Sequence, residues 1–234
     1  TFSTSFNKSA RSKNWFVKST VDNITLNFSA IGKRRSTTSI EQEESLDLSS
    51  SAKYAYNFGK ENYYNLFKWM KKLPIFGEFF SESRFYYTPD KLSANLSLNE
   101  NDKLSKQRVG TETPTYSLKM QRDFTFNYKF TKSFQVNYTK NISSNLDGYK
   151  DHKYEIIKNL SPGLVKNVKE KFTTTFSPDF IGWLDPKITY NPFYSWDLAA
   201  QNDSLSLSNI NVTAPFKTTI NITPKEIVEL FYTP

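Results

Sequence analysis

Apolar and polar positions alternate along almost the whole chain. From Asp123 to Ile142 the sequence reads DFTFNYKFTKSFQVNYTKNI. Phe124, Phe126, Tyr128 and Phe130 are followed at the same parity by Phe134, Val136, Tyr138 and Ile142. Asn, Thr, Lys and Gln fill most positions between them. A two-residue repeat puts the apolar set on one face of a β-strand and the polar set on the other. The same period runs through Ile24–Ala30, through Leu46, Leu48, Ala52, Tyr54, Tyr56 and Phe58, and through Leu92–Leu98. It returns at Tyr116–Met120, at Phe172 and Phe176, and at Ile188 and Tyr190. Tyr194–Leu198, Leu205 with Leu207, and Phe216–Ile222 close the series. The pattern predicts roughly eight to ten strands, several longer than the ~9–11 residues that cross a membrane.

The 123–142 stretch reads as a hairpin. A two-residue turn would pair Phe130 with Ser133 and send Phe134 to the opposite face. A three-residue loop, Thr131-Lys132-Ser133, pairs Phe130 with Phe134, Tyr128 with Val136 and Phe126 with Tyr138. Only an odd loop keeps the apolar set together. Two stretches depart from the period. Residues 61–80 place Tyr63, Leu66, Phe67 and Met70 at helical spacing before Pro74 and Gly77, which predicts a short helix or loop insertion at a rim. Residues 146–170 read as a loop, with Pro162-Gly163 as a turn.

Composition narrows the chemistry. Hydrophobic residues make up 37% of the chain, yet aromatics reach 16%, with 20 Phe and 14 Tyr. Such a mixture suits strands with one greasy face and one face of small polar groups. There is no Cys and one His, so thiolate metal sites, disulfides and histidine clusters are excluded. His152 sits in GYKDHKYE, a polar loop. With 7 Gly and no glycine-rich phosphate loop, nucleophile elbow or metalloprotease helix, the chain is read as not an enzyme and as needing no cofactor. Glu41, Glu43 and Glu44 read as a solvated loop before a strand. Of ten Asn-x-Ser/Thr triplets most have an apolar middle residue, which the alternation produces by itself. The formal charge is +8, with small basic clusters at Lys33-Arg34-Arg35 and Lys71-Lys72. These read as loop and rim charges, without nucleic acid as a partner, because no nucleic-acid motif accompanies them.

No apolar run approaches the ~20 residues of a membrane helix, which leaves a β-barrel open. The start shows no signal peptide, the last residues do not look like a closing strand, and both ends look cut from a longer protein. Soluble sandwiches share the period. Long aromatic strands, small polar residues on the alternate face, and Tyr86, Tyr87, Trp183, Tyr194 and Trp196 near strand ends favour a membrane wall.

Three stretches also carry a family resemblance: LPIFGEFFSESRFYYTPDKLSANLSLNEND, QRDFTFNYKFTKSFQVNYTKNISSNLD and SPGLVKNVKEKFTTTFSPDFIGWLDPKITYNPFYSW. In this order, across about Asn62 to Trp196, the chain resembles the SprA/Sov family. That family is the giant outer-membrane translocon of the type IX secretion system, linked to gliding motility. The resemblance implies an all-β fold in which antiparallel strands form a sector of a large transmembrane β-barrel. It also implies a location in the bacterial outer membrane, secreted protein cargo, and gating or plug proteins as partners. On this expectation Phe124, Phe126, Tyr128, Phe130, Phe134, Val136 and Tyr138 face lipid, and Asn127, Lys129, Gln135 and Asn137 face the lumen. The alternatives are a smaller outer-membrane uptake barrel, or a soluble secreted β-sandwich or solenoid that binds glycans or proteins.

Overall fold

The computed structural model describes residues 1–8, 12–59, 62–66, 68–72, 83–178, 183–202 and 205–225. The strands are β1 (Phe2–Asn7), β2 (Ile24–Arg35), β3 (Ile40–Asn57), β4 (Tyr63–Tyr64), β5 (Phe85–Tyr86), β6 (Lys91–Gln107) and β7 (Glu112–Lys129). They continue with β8 (Phe134–Asn145), β9 (Leu164–Phe176), β10 (Leu184–Tyr190), β11 (Phe193–Asn202), β12 (Leu205–Thr213) and β13 (Phe216–Ile222). Among the described residues two five-residue helices accompany them, α1 (Trp15–Ser19) and α2 (Tyr154–Lys158). The fold is all-β and antiparallel.

Eleven strands form one sheet, and β4 pairs with β5 apart from it. β10 and β11 both lie along β9, and behave as one strand interrupted at Asn191-Pro192. β12 and β13 are likewise one path interrupted at Ala214-Pro215. Proline has no N–H to give to the ladder. Its carbonyl still serves: Phe172 N donates to Pro192 O at 3.0 Å, and Asn191 N to Pro215 O at 3.0 Å. Counted this way, the sheet is a meander in which each long path pairs with the paths before and after it in sequence. It is open: among the described residues β1 and the β12–β13 path pair on one side only.

The register sorts the side chains completely. One row across the sheet runs Asn7, Thr25, Lys53, Asn95, Asp123, Asn141, Lys169, Ser195, Asn211. A row displaced by one residue runs Phe6, Leu26, Ala52, Leu96, Arg122, Ile142, Val168, Trp196, Ile210. Directly opposed residues share a face and neighbours along a strand do not. One face is therefore mostly polar, with Ile31, Ala55 and Phe193 as exceptions, and the other mostly apolar, broken by a few charges and by Thr4, Ser50, Ser144 and Thr174. The 123–142 hairpin has the predicted pairing, with Tyr128 opposite Val136 and Phe126 opposite Tyr138. Without glycine, the turn is held by Thr131, whose hydroxyl accepts from Ser133 N at 3.2 Å and Phe134 N at 3.0 Å.

Three expectations change. Tyr63 and Tyr64 lie in β4, paired with Tyr86 and Phe85, and only Lys68–Lys72 forms a 3-10 turn. Paired tyrosines suit a strand better than a helix start; residues 61, 67 and 73–82 lie outside the described residues. The 146–170 loop ends at Gly163, because Leu164 opens β9. A bulge there sets Asn167 opposite Ser143 and Val165 opposite Ser144, so Val165 and Val168 share the apolar face although they are three apart. Glu41, Glu43 and Glu44 belong to β3 and pair with Lys106 at 3.1 Å, Lys103 at 2.9 Å and Arg34.

The core is small. Leu118, Met120, Leu146 and Ile156 are buried together, with Leu98, Tyr116 and Tyr149 packed around them. Leu146 and Ile156 come from the loop 146–163, which folds back over the apolar face. Gly163 makes that return. Its φ is +65°, and a methyl group there would stand 2.5 Å from Leu146 Cδ2 and 2.7 Å from Asn145 O. Gly163→Ala should therefore loosen the loop, at a cost of about 1–3 kcal/mol. Gly148→Ala in the same loop meets nothing within 4 Å. Limited proteolysis should cut residues 147–162 faster in the first variant only; equal rates would remove the steric account.

Candidate functional site: one apolar and one polar face

The expected site residues separate as the alternation requires. Phe124, Phe126, Tyr128, Val136 and Tyr138 share the apolar face, on which Phe130 and Phe134 meet at the turn with ring centroids 5.3 Å apart. Asn127, Lys129, Gln135 and Asn137 lie on the opposite face. Rings then run along one margin of the apolar face. Phe126 and Tyr128 are 6.1 Å apart, Tyr128 and Phe130 4.1 Å, and Phe134 and Phe176 6.3 Å. Tyr56 and Phe58 continue the margin at 4.6 Å, edge to face. The insertion between β3 and β6 is fastened to this margin: Tyr128 Oη donates to Tyr86 O at 2.8 Å, and Tyr86 N to Phe130 O at 2.9 Å.

Apart from loop 146–163, little of the protein covers the apolar face. Phe6, Leu26, Phe124, Ile210 and Ile220 are all exposed, and Phe216 reaches 66%. Among the described residues only Leu118, Met120, Val136, Leu146 and Ile156 count as buried hydrophobic side chains. Soluble proteins rarely leave a contiguous apolar patch of more than a few hundred Å² open.

The opposite face is held by short polar ladders. Asp123 accepts from Asn141 at 2.7 Å, from Gln121 at 3.0 Å and from Asn95 at 3.2 Å. Asp47 is bound by Lys33 at 2.8 Å and by Asn101. Asn27 donates to Ser51 at 3.2 Å. Most of these side chains are short, with lysines among them, and the face is polar.

The strand ends are staggered. On the polar row, β1 ends at Asn7 itself, β7 continues to Lys129 and β13 continues to Ile222. The margin carrying the 131–133 turn thus slips by about eleven residues over the sheet, or about 1.4 residues per strand. With a rise of about 3.3 Å and a spacing of about 4.8 Å, a level margin would tilt the strands by about 43°. Barrel strands tilt by about 35–45°.

Sequence reasoning passed over several polar groups on the apolar face. Glu170 accepts from Lys140 at 2.7 Å and from Tyr138 Oη at 2.9 Å. Arg122 donates to Ser144 Oγ at 2.7 Å. The signal was present, since Arg122 and Lys140 break the apolar parity of their strands. It also passed over α1, which leaves Trp15 at 78% and Phe16 at 58% exposure beside Lys18. Tyr54 Oη, on the apolar face, donates to Ser19 O at 2.8 Å and ties the helix there. Among the described residues no helix is long and apolar enough to cross a membrane, and no three potential metal-ligating side chains are grouped.

No protein-family model matches the chain, and no curated protein matches it in sequence.

The segment that carries α1 is fixed by Asp22. Lys8 Nζ meets its carboxylate at 2.6 Å, and Ser12 N donates to it at 2.5 Å. The Lys8 hydrogen bond, then that from Ser12, holds the Asp22 carboxyl below its ordinary value. A lowered folded-state pKa gives stability that is present above the unfolded value near ~3.9 and is lost as pH falls through the folded value. Hydrogen exchange in residues 12–23 should stay slow at neutral pH and rise only well into acid. In Asp22→Asn it should already be fast at pH ~7 and show no such rise. An acid transition that survives in this variant would assign the effect to another group.

Proposed function

We propose that this chain is a wall segment of an outer-membrane β-barrel. On the resemblance to the SprA/Sov family, we further propose that the barrel is a type IX secretion translocon, related to gliding motility, which passes protein cargo to the cell surface. One observation carries the barrel reading: a single-layer antiparallel meander leaves its aromatic face open over most of its width. A bilayer covers such a face without a second protein layer. It also requires every backbone group to be paired, which long laddered strands provide except at the open edges. On this reading β1 and β13 pair with further strands of the same wall.

Dimensions support it. On β7 the apolar side chains extend from Phe130 to Leu118, interrupted by Arg122, about twelve residues. At about 3.3 Å per residue and a tilt of about 43° they span about 29 Å, against the ~25 Å apolar band of outer-membrane barrels. The ring-lined margin has the character of an interfacial girdle.

The mechanism asks little chemistry of these residues. The polar face lines the lumen with Asn, Ser, Thr and Lys, so cargo meets a hydrated wall. The lipid face anchors the wall. Selectivity then comes from pore width and from the partner proteins that gate or plug it, with no cofactor in this segment.

The test is asymmetric. Phe126→Arg in the full-length protein should cost about 2–4 kcal/mol if it lies near the midplane, read as lost outer-membrane assembly. Asn127→Arg, one residue away on the other face, should be nearly neutral. Carbonate-washed outer membranes should retain the wild type, with heat-modifiable migration on gels. Equal tolerance of both substitutions would sink the face assignment. Release as a soluble protein would mean that protein covers the aromatic face, as in a secreted sandwich or solenoid.

A further inference from the structure

Loop 146–163 does more than cap the small core. It lies on the apolar face over Leu98, Leu118 and Met120, at the end of the strands away from the 131–133 turn. On β7 this is where the apolar band ends. The loop is fastened from beneath and from the side. Leu118 N donates to Asp147 Oδ1 at 2.6 Å, Leu146 N to Leu118 O at 2.8 Å, and Tyr149 Oη is 2.7 Å from Ser161 Oγ. Lys150 pairs with Asp102 at 3.4 Å, Lys153 with Glu100, and both ammonium groups approach the Tyr116 ring.

A loop held this firmly could turn all its apolar side chains inward, but only one residue of α2, Ile156, is buried. Tyr154 is 64% exposed, Ile157 74% and Leu160 84%. Leu160 is also the one non-glycine residue with positive φ, +47°, among the described residues. A branched side chain in that region is strained, and here the strain accompanies an apolar group held outward. Asn or Gly would end the helix more easily.

We infer that loop 146–163 is a membrane-interface anchor. Tyr154, Ile157 and Leu160 enter the boundary between headgroups and acyl chains, and Lys158 meets lipid phosphate. The occupant follows from position: the exposed trio continues the uncovered apolar face of the sheet at the level where that face gives way to charged residues. Tyr at this level with Lys beside it matches the chemistry of a headgroup region. The ion pairs to Glu100 and Asp102 keep two further lysines fixed to the wall, so the loop cannot swing free of it. This inference rests on the membrane reading above and deepens it: it fixes which level of the wall meets the bilayer surface, and Trp15 and Phe16 stand at the opposite margin.

The experiment uses spin labels on the full-length protein in phosphatidylcholine–phosphatidylglycerol vesicles. This segment has no cysteine, and any elsewhere in the chain would be replaced. Labels at Leu160→Cys, Ile157→Cys, Phe126→Cys and Lys103→Cys are compared for collisions with oxygen, which favours lipid, and with a water-soluble nickel complex. The anchor predicts oxygen-favoured collisions at 160 and 157, intermediate between 126 and the wet reference at 103. Nickel-favoured collisions at 160 and 157, with 126 still in lipid, would overturn the anchor and leave the membrane reading standing. Few collisions with either probe at 160 would also overturn it, because protein would then cover the loop. A wet label at 126 would remove the membrane reading first and the anchor with it.

Discussion

The pairing of β7 with its two neighbours is the constraint on which the rest depends. Side chains alternate with a period of two, so a slip of one residue exchanges the faces wholesale. The Asp123 row and the Arg122 row differ by that single step, yet one contains only polar residues and the other mostly apolar ones. Several devices hold the register. The Thr131 hydroxyl closes the turn at one end. Asp123 is bridged to both neighbouring strands, by Asn95 and by Asn141. At the far end Leu146 and Asp147 grip Leu118 through its backbone. Each bond is modest, about 0.5–1.5 kcal/mol net, but all of them favour the same pairing.

A one-layer sheet sorted so thoroughly has no way to bury its greasy face by itself. Leaving apolar surface in water forfeits about 25 cal/mol for each Å². The small cluster under loop 146–163 covers one corner. Among the described residues, neither β4–β5 nor α1 is large enough to cover the remaining face from Phe2 to Ile222. The uncovered apolar surface among the described residues therefore lies on one side of the sheet. On the other side the carboxylates Asp47 and Asp123 are held by cross-strand partners, and the remaining polar side chains face water.

Most of this architecture was legible in the sequence, because the signal was the alternation itself. The hairpin register followed from the parity of Phe130 and Phe134, even though no glycine marked the turn. The misreadings have a common cause: a local departure from strict alternation that long-range pairing tolerates. Val165 and Val168 lie three apart, which looks like the end of a strand until the bulge at Ser143 is seen. Glu41, Glu43 and Glu44 look like a solvated loop until Arg34, Lys103 and Lys106 arrive from neighbouring strands. Tyr63 and Tyr64 suit a helix until Phe85 and Tyr86 lie beside them. In each case the deciding partner is distant in sequence, and a single sequence does not reveal it.

The charges on the apolar face are the hardest feature to reconcile with lipid, and the stagger of the sheet bears directly on them. In a frame perpendicular to the strands, Lys140 and Glu170 share a row with Phe124 and seem to lie in mid-face. On the membrane reading proposed above, the level of the bilayer in the tilted frame falls from strand to strand. Lys140 is then one pair short of Ile142, the last apolar residue of β8 on that face before Ser144. Glu170 stands opposite Lys140, takes a hydrogen bond from Tyr138 as well, and so presents a neutralised group. Lysine can reach past a short apolar stretch towards water with its stem in contact with hydrocarbon. Arg122, between Phe124 and Met120 on β7, bonds to Ser144. Charged groups within a lipid-facing surface survive where they are paired and near an interface. On the membrane reading proposed above, Lys140 and Glu170 meet both conditions if the strands are inclined as the strand ends indicate.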